Sequence, residues 1–248
     1  MNIPNQPSSV PPQIPPPYPP LPGESPEERA PIPNAITAIE AVLRQPRRLL
    51  HQLRQPGAGR LIAWMLLVSL VCSLVYGLVV GTFSMHEQLW RAPVKVAGGL
   101  LVSALICLPS LYIFACLSGS QARLSEIFGL VSGLLMLTTL LLVGFAPVAW
   151  LFSQSTETVA WMGALHLVFW GIATVFGLRF LESGFSQLQA RSSAGLNTWI
   201  IIFVLVVLQM TTALRPIVDR AETFFPEKKM FFVTHWGECL KQKAGEAK

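Results

Sequence analysis

IFGLVSGLLMLTTLLLVGFAPVAWLF, residues 127–152, contains no Asp, Glu, Lys, Arg or His. As a helix it would be about 39 Å long at a rise of 1.5 Å per residue, more than the roughly 30 Å hydrocarbon core of a bilayer. A soluble core helix has no need of so long a stretch without charge, so this stretch predicts a membrane span. Four further windows read the same way, at about 61–83, 98–118, 158–178 and 197–214. The expected fold class is an all-α integral membrane protein. Its core is a five-transmembrane-helix bundle over residues 61–218.

Composition agrees. The 248 residues are 52% hydrophobic and only 12% charged, where soluble domains carry about 25% charge. Outside the windows no segment could build a large soluble core. The four cysteines, at 72, 107, 116 and 239, form no CxxC pair, so no zinc or thiol-redox motif is legible. Cys107 and Cys116 fall on roughly opposite helix faces.

Residues 1–33 hold thirteen prolines. Proline lacks a backbone donor, and the segment has little to bury, so residues 1–34 predict a disordered, polyproline-II-rich arm. Pro12, Pro15 and Tyr18 could anchor it in an aromatic groove, or it could be a solvated spacer. It lacks a positive start leading into an apolar run, so no secretory signal peptide is expected; the first span would serve as an uncleaved insertion signal.

ITAIEAVLRQPRRLLHQLRQPGAGR follows, residues 36–60. Its apolar positions line helical faces on either side of Pro46, with basic residues between. Segment 35–60 therefore predicts a basic amphipathic interfacial helix. Arg44, Arg47, Arg48 and Arg54 are its candidate contacts with anionic headgroups; packing on a partner protein is the alternative. Eight Lys or Arg lie on the side of residues 44–60, loop 119–126 and loop 179–196, and two on the side of loops 84–97 and 153–157. This bias predicts a cytoplasmic N-terminus in a bacterial inner membrane, with the tail 219–248 outside. Trp64, Trp90, Trp150, Trp161 and Trp199 near span ends read as an interfacial belt.

Within the spans, the mid-regions show no Asp, Glu, Lys or Arg. His166 is the one histidine there, a candidate polar intramembrane residue together with Gln209. Buried ionisable residues mark most intramembrane enzymes and ion-coupled carriers, and no HExxH, GxSxG or phosphate-loop motif occurs. No catalytic, cofactor or metal residue is assigned, and nucleic acid is not an expected partner. Gly77 and Gly81, and Gly129 and Gly133, form small-xxx-small pairs that let helix backbones approach. Pro109 and Pro147 predict kinks, where Ser103, Ser110, Thr138 and Thr139 could satisfy freed backbone groups. Gln209, Thr211 and Thr212 read as a polar clasp near the end of span five. Pro216 ends that helix, and Arg215 either anchors it at the interface or contacts a lipid or partner.

The landmarks YGLVVGTF (76–83), a loop with Lys95, LPSLYIFACLSGS (108–120), LLLVGFAPVAWLFSQST (140–156) and QMTTALRP (209–216) come in an order that resembles a family of five-span bacterial membrane proteins of unassigned role. More distantly the order resembles the Yip1 family. The likeness spans about residues 36–220. It implies a cytosolic arm, five spans and a short far-side tail, with a non-enzymatic role. The expected function is that of a scaffold, assembly partner or membrane organiser working with the lipid bilayer and with membrane or cytoplasmic protein partners. The alternative is a channel or transporter for a small or lipidic solute.

Overall fold

Side chains on the first long helix are arranged inside out relative to a soluble protein. In α4 (Gly59–Thr82) the buried face carries Ser69, Ser73, Gly77 and Gly81 among its larger residues, while Leu67, Leu70, Val71, Leu74, Val75 and Leu78 are exposed. Large apolar groups face outward because lipid tails solvate them, and small residues face inward because close backbone approach drives association there. The structure is a computed structural model that describes residues 23, 25–82, 88–120, 122–155, 159–188 and 194–213.

Every regular element among the described residues is a helix, with no strand. Three short helices, α1 (Pro26–Arg29), α2 (Ala35–Arg44) and α3 (Pro46–Leu53), precede α4. The long helices α5 (Gln88–Leu117), α6 (Leu124–Ser155) and α7 (Val159–Gln187) follow, then α8 (Ala194–Ala213). α4 to α7 are each long and apolar enough to cross a membrane; the apolar part of α8, Ala194–Met210, is shorter. The protein is thus a multi-span helical membrane protein.

Packing partners give the order across the bundle. α4 packs on α5 and α6, α7 on α6, and α8 on α5, so the helices run α8–α5–α4–α6–α7. α6 is the most enclosed of the long helices: 67% of its most apolar window is buried, against 39% or less in the other three. Successive helices alternate in direction, so α1–α3 and the ends of α5 and α7 gather at one end, here called the capped end.

Several helix borders differ from expectation. α5 starts at Gln88, ten residues before the expected window at 98, and α7 continues nine residues past 178. Arg91 and Lys95 are therefore helical rather than part of a loop, and Lys95 is only 1% exposed. Both precede the window expected to span, 98–118, in a stretch of α5 that the hydropathy reading assigned to a loop. Arg179 is also helical, and its exposed guanidinium lies 5.9 Å from the Phe176 ring centroid.

Pro109 and Pro147 lie within continuous helix, as does Pro93. The hydroxyls expected to serve the carbonyls released at Pro109 and Pro147, those of Leu105 and Val143, go elsewhere. Ser103 donates to Gly99 O (2.7 Å), Ser110 to Cys107 O (2.8 Å) and Thr139 to Leu135 O (2.9 Å). Each bonds a carbonyl three or four residues back, the ordinary local partner of a helical hydroxyl. Thr138 Oγ1 has no hydrogen-bond partner among the described residues. The expected Pro-rich arm is described only from Gly23 onward. Within it, the carbonyls of Arg29, Ala30 and Pro31 accept from donors on α3.

Candidate functional site

Small residues set the distances between helices. A Cβ on Gly77 would stand 2.5 Å from Pro93 Cα and 3.2 Å from Ala92 O, so α4 and α5 touch backbone to backbone. On Gly129 it would meet Leu53 Cδ2 at 2.6 Å, and on Gly133 Phe180 Cε1 at 2.5 Å. Gly81 is buried on α4. Two further glycines escaped the sequence reading: Gly177 abuts Thr138 and Gly184 abuts Leu130 and Leu50. They are seven apart, two helical turns, a spacing that a small-xxx-small search passes over.

These approaches bring polar groups together in one layer. Tyr76 lies six residues before the end of α4, Lys95 seven after the start of α5, and His166 seven after the start of α7. At 1.5 Å per residue all three sit about 10 Å from the helix ends opposite the cap. Tyr76 Oη and His166 Nδ1 are 2.8 Å apart, with the rings edge to face at 88°. Tyr76 is 3% exposed and His166 9%. The pair clasps α4 to α7 across α6, where the small Ala146 and Ala149 leave room. Phe145 and Phe169 stack beside it at 4.9 Å. If the phenol donates, Nδ1 accepts and Nε2 carries the ring proton. Nε2 is buried without a hydrogen-bond partner among the described residues.

Gln209 sits on a different flank of the bundle from His166. It lies half-buried on α8, which packs on α5, whereas His166 is on α7, which packs on α6. Thr211, Thr212, Arg215, Pro216 and Cys239 carry expectations whose side chains lie outside the described residues. Trp90, Trp150 and Trp161 are exposed near the end opposite the cap, as a belt requires. Trp199 is a correction: it is fully buried, stacks on Phe203 at 5.0 Å and donates its indole N–H to Cys107 O at 2.8 Å. Its position near a span end suggested the interface, but its face turns toward α5. Cys107 is buried and Cys116 exposed.

The second assembly of polar groups is the cap. α2 opens with a capping box in which Thr37 N donates to Asn34 Oδ1 (2.9 Å) and Asn34 N to Thr37 Oγ1 (3.3 Å). Ala38, Ala41 and Val42 of α2 and Leu49, Leu50 and Leu53 of α3 are buried in the same core as α4, α6 and α7. The amphipathic segment thus spends part of its apolar surface on protein, while Ile36 and Leu43 of α2 stay exposed. Of its four candidate arginines, Arg44 is exposed. Arg54 donates to Gln187 O at 3.0 Å, Arg47 Nε lies 3.1 Å from Glu28 Oε1, and Arg48 holds the backbone at residues 30–31. The chain between α5 and α6 turns at Gly119 (φ 76°), and Ser120 Oγ ties it to Leu188 O at 2.9 Å. Beside Arg54, a shallow cleft is lined by Leu50, Leu53, Glu126, Leu130 and Gly184.

Family models gave no match to the chain, and no curated protein or solved structure matched it either.

Proposed function

We propose that the chain is a five-span protein of the bacterial cytoplasmic membrane, N-terminus inside, working as a non-enzymatic scaffold, assembly partner or membrane organiser of the Yip1 type. The observation that supports this reading is the cap. α2 and α3 bury Ala38, Ala41, Val42, Leu49, Leu50 and Leu53 on the bundle, while Ile36 and Leu43 of α2 stay exposed, so the pair forms a platform fixed on the bundle with basic and apolar side chains at its surface. Arg44, Arg54, Arg60 and Arg123 are exposed at this end, where anionic headgroups or an acidic partner would meet them. The test is purification of the intact chain in mild detergent. A partner should come with it in stoichiometric amount and be lost from Arg44→Glu/Arg54→Glu, with the bundle still folded. A partner-free monomer that carries solute across liposomes would overturn the reading.

A channel or transporter for a small or lipidic solute is the second reading. It draws on His166 Nε2, a buried polar atom beside the Tyr76 clasp and level with buried Lys95. Solute flux in liposomes that His166→Phe abolishes would favour it.

A further inference from the structure

The polar face of α3 behaves as a peptide-binding surface that is already filled. Opposite its buried Leu49, Leu50 and Leu53, α3 presents Arg47, Arg48, His51 and Gln52. Several of their contacts reach the segment from Gly23 to Pro31, while Arg48 Nη1 also donates to Gln45 Oε1 at 3.1 Å and His51 Nε2 lies 3.3 Å from Gln55 Nε2. Arg48 Nε donates to Ala30 O at 3.0 Å and Arg48 Nη2 to Pro31 O at 2.7 Å. Gln52 Nε2 donates to Arg29 O at 3.3 Å and Ala30 O at 3.4 Å. Arg47 Nε pairs with Glu28 Oε1 at 3.1 Å without its N–H aimed along the contact, while Glu28 Oε2 accepts from Gly23 N at 2.6 Å. Gly23 (φ 95°) lies so close to the His51 ring that no Cβ would fit.

The segment suits this face for a physical reason. A four-residue helix such as α1 has no stability of its own, so the contacts to α3 hold it. Pro31 keeps Ala30 extended, at φ −57° and ψ 133°. The carbonyls of Ala30 and Pro31 are therefore not used up in a helix. Three donors read main-chain carbonyls, which any sequence supplies, and one guanidinium reads a carboxylate, which gives the choice of partner.

We propose that this face of α3 docks an acidic, proline-containing segment of a partner protein, and that residues 23–31 are its built-in competitor. The ligand class is a chain with a carboxylate followed within three residues by carbonyls ahead of a proline. Arg47 and Arg48 give the face positive charge where Glu28 meets it, so charge complementarity selects such a segment over a basic one. A short tether gives the internal segment an effective concentration on the order of millimolar, so a partner binds well only once that segment is displaced. This deepens the scaffold reading by giving it a partner class and rests on that reading, but its test involves neither co-purification nor flux, so the two fail separately.

The experiment uses the full chain in lipid nanodiscs and a fluorescent peptide of the sequence of residues 23–34. Glu28→Lys sets a cation against Arg47 and should release the segment, seen as faster hydrogen exchange across 23–34 with exchange across 59–82 unchanged. The peptide should then bind Glu28→Lys at least about tenfold more tightly than the wild type. Adding Arg48→Ala should abolish that gain. Equal binding to wild type and Glu28→Lys would overturn the proposal, as would no binding despite release. Unchanged protection of 23–34 in Glu28→Lys would overturn it too, because the carboxylate contact would then not hold the segment.

Discussion

Gly77 has no room for a methyl group, since its Cβ would lie 2.5 Å from the Pro93 backbone and neither side can swing away as a flexible side chain could. Gly98, on α5, has nothing within 4 Å of its would-be Cβ. Gly77→Ala should therefore cost stability by about 1–3 kcal/mol through overpacking, and Gly98→Ala should be neutral or slightly stabilising. Unfolding of both in the same detergent is the check. The Tyr76–His166 bond is a different kind of constraint, polar and long-range in sequence. Tyr76→Phe removes only the hydroxyl and strands a buried imidazole nitrogen. Interhelical hydrogen bonds in membranes average about 0.6 kcal/mol, and an orphaned buried group adds to that, so the expected loss is ~1 kcal/mol. A double-mutant cycle with His166→Leu reads the coupling directly; additive losses would mean that the two side chains do not act as a pair.

Helices α3 and α8 show how a single face decides where an element goes. Leu53, 4% exposed, fills the space left open by Gly129 on α6. Leu53→Ala should cost about 2–5 kcal/mol of docking free energy, with faster hydrogen exchange across 35–54 and little change across α4 and α6. α8 buries Leu196, Trp199, Phe203 and Val207, a 3–4–4 spacing along one side, and exposes Ile201 and Leu205 on the other. That the long helices exist was legible, because lipid forbids charge over a whole span and the sequence obeys. Their ends were less so: Arg91, Lys95, Arg179 and Glu182 lie inside helices whose apolar windows stop short of them. Hydropathy reports contact with lipid, while helicity continues wherever backbone bonds are satisfied. The face of Trp199 and the pairing of Tyr76 with a histidine 90 positions away depend on which helices are neighbours, and no local pattern encodes that. The role of Arg48 was hidden for a related reason. A basic residue on an amphipathic helix looks the same whether it meets a headgroup or a carbonyl of its own chain.

The number of crossings turns on α8. Its apolar part, Ala194–Met210, is 17 residues, or about 26 Å as a helix, slightly less than a hydrocarbon core of about 30 Å. Two arguments favour a full crossing. Its buried face follows α5 from Leu196 near the capped end to Val207, eleven residues on, so it climbs alongside a helix long and apolar enough to cross. A bilayer also thins to meet a short span at a modest cost, fractions of a kcal/mol per ångström of mismatch. The exposed arginines at the capped end, Arg44, Arg54, Arg60 and Arg123, should hold that end in the cytoplasm. Single cysteines at Gln55, Gln154 and Ser186, all exposed, with a tag after Lys248, report the arrangement to a membrane-impermeant thiol reagent. Gln55→Cys and Ser186→Cys should react only from the cytoplasmic side, and Gln154→Cys and the tag only from the far side. If the tag shares a side with Gln55→Cys while Gln154→Cys stays opposite, α8 turns back and the protein has four crossings. If all four positions exchange sides together, five crossings stand and the arginine ring does not set the orientation.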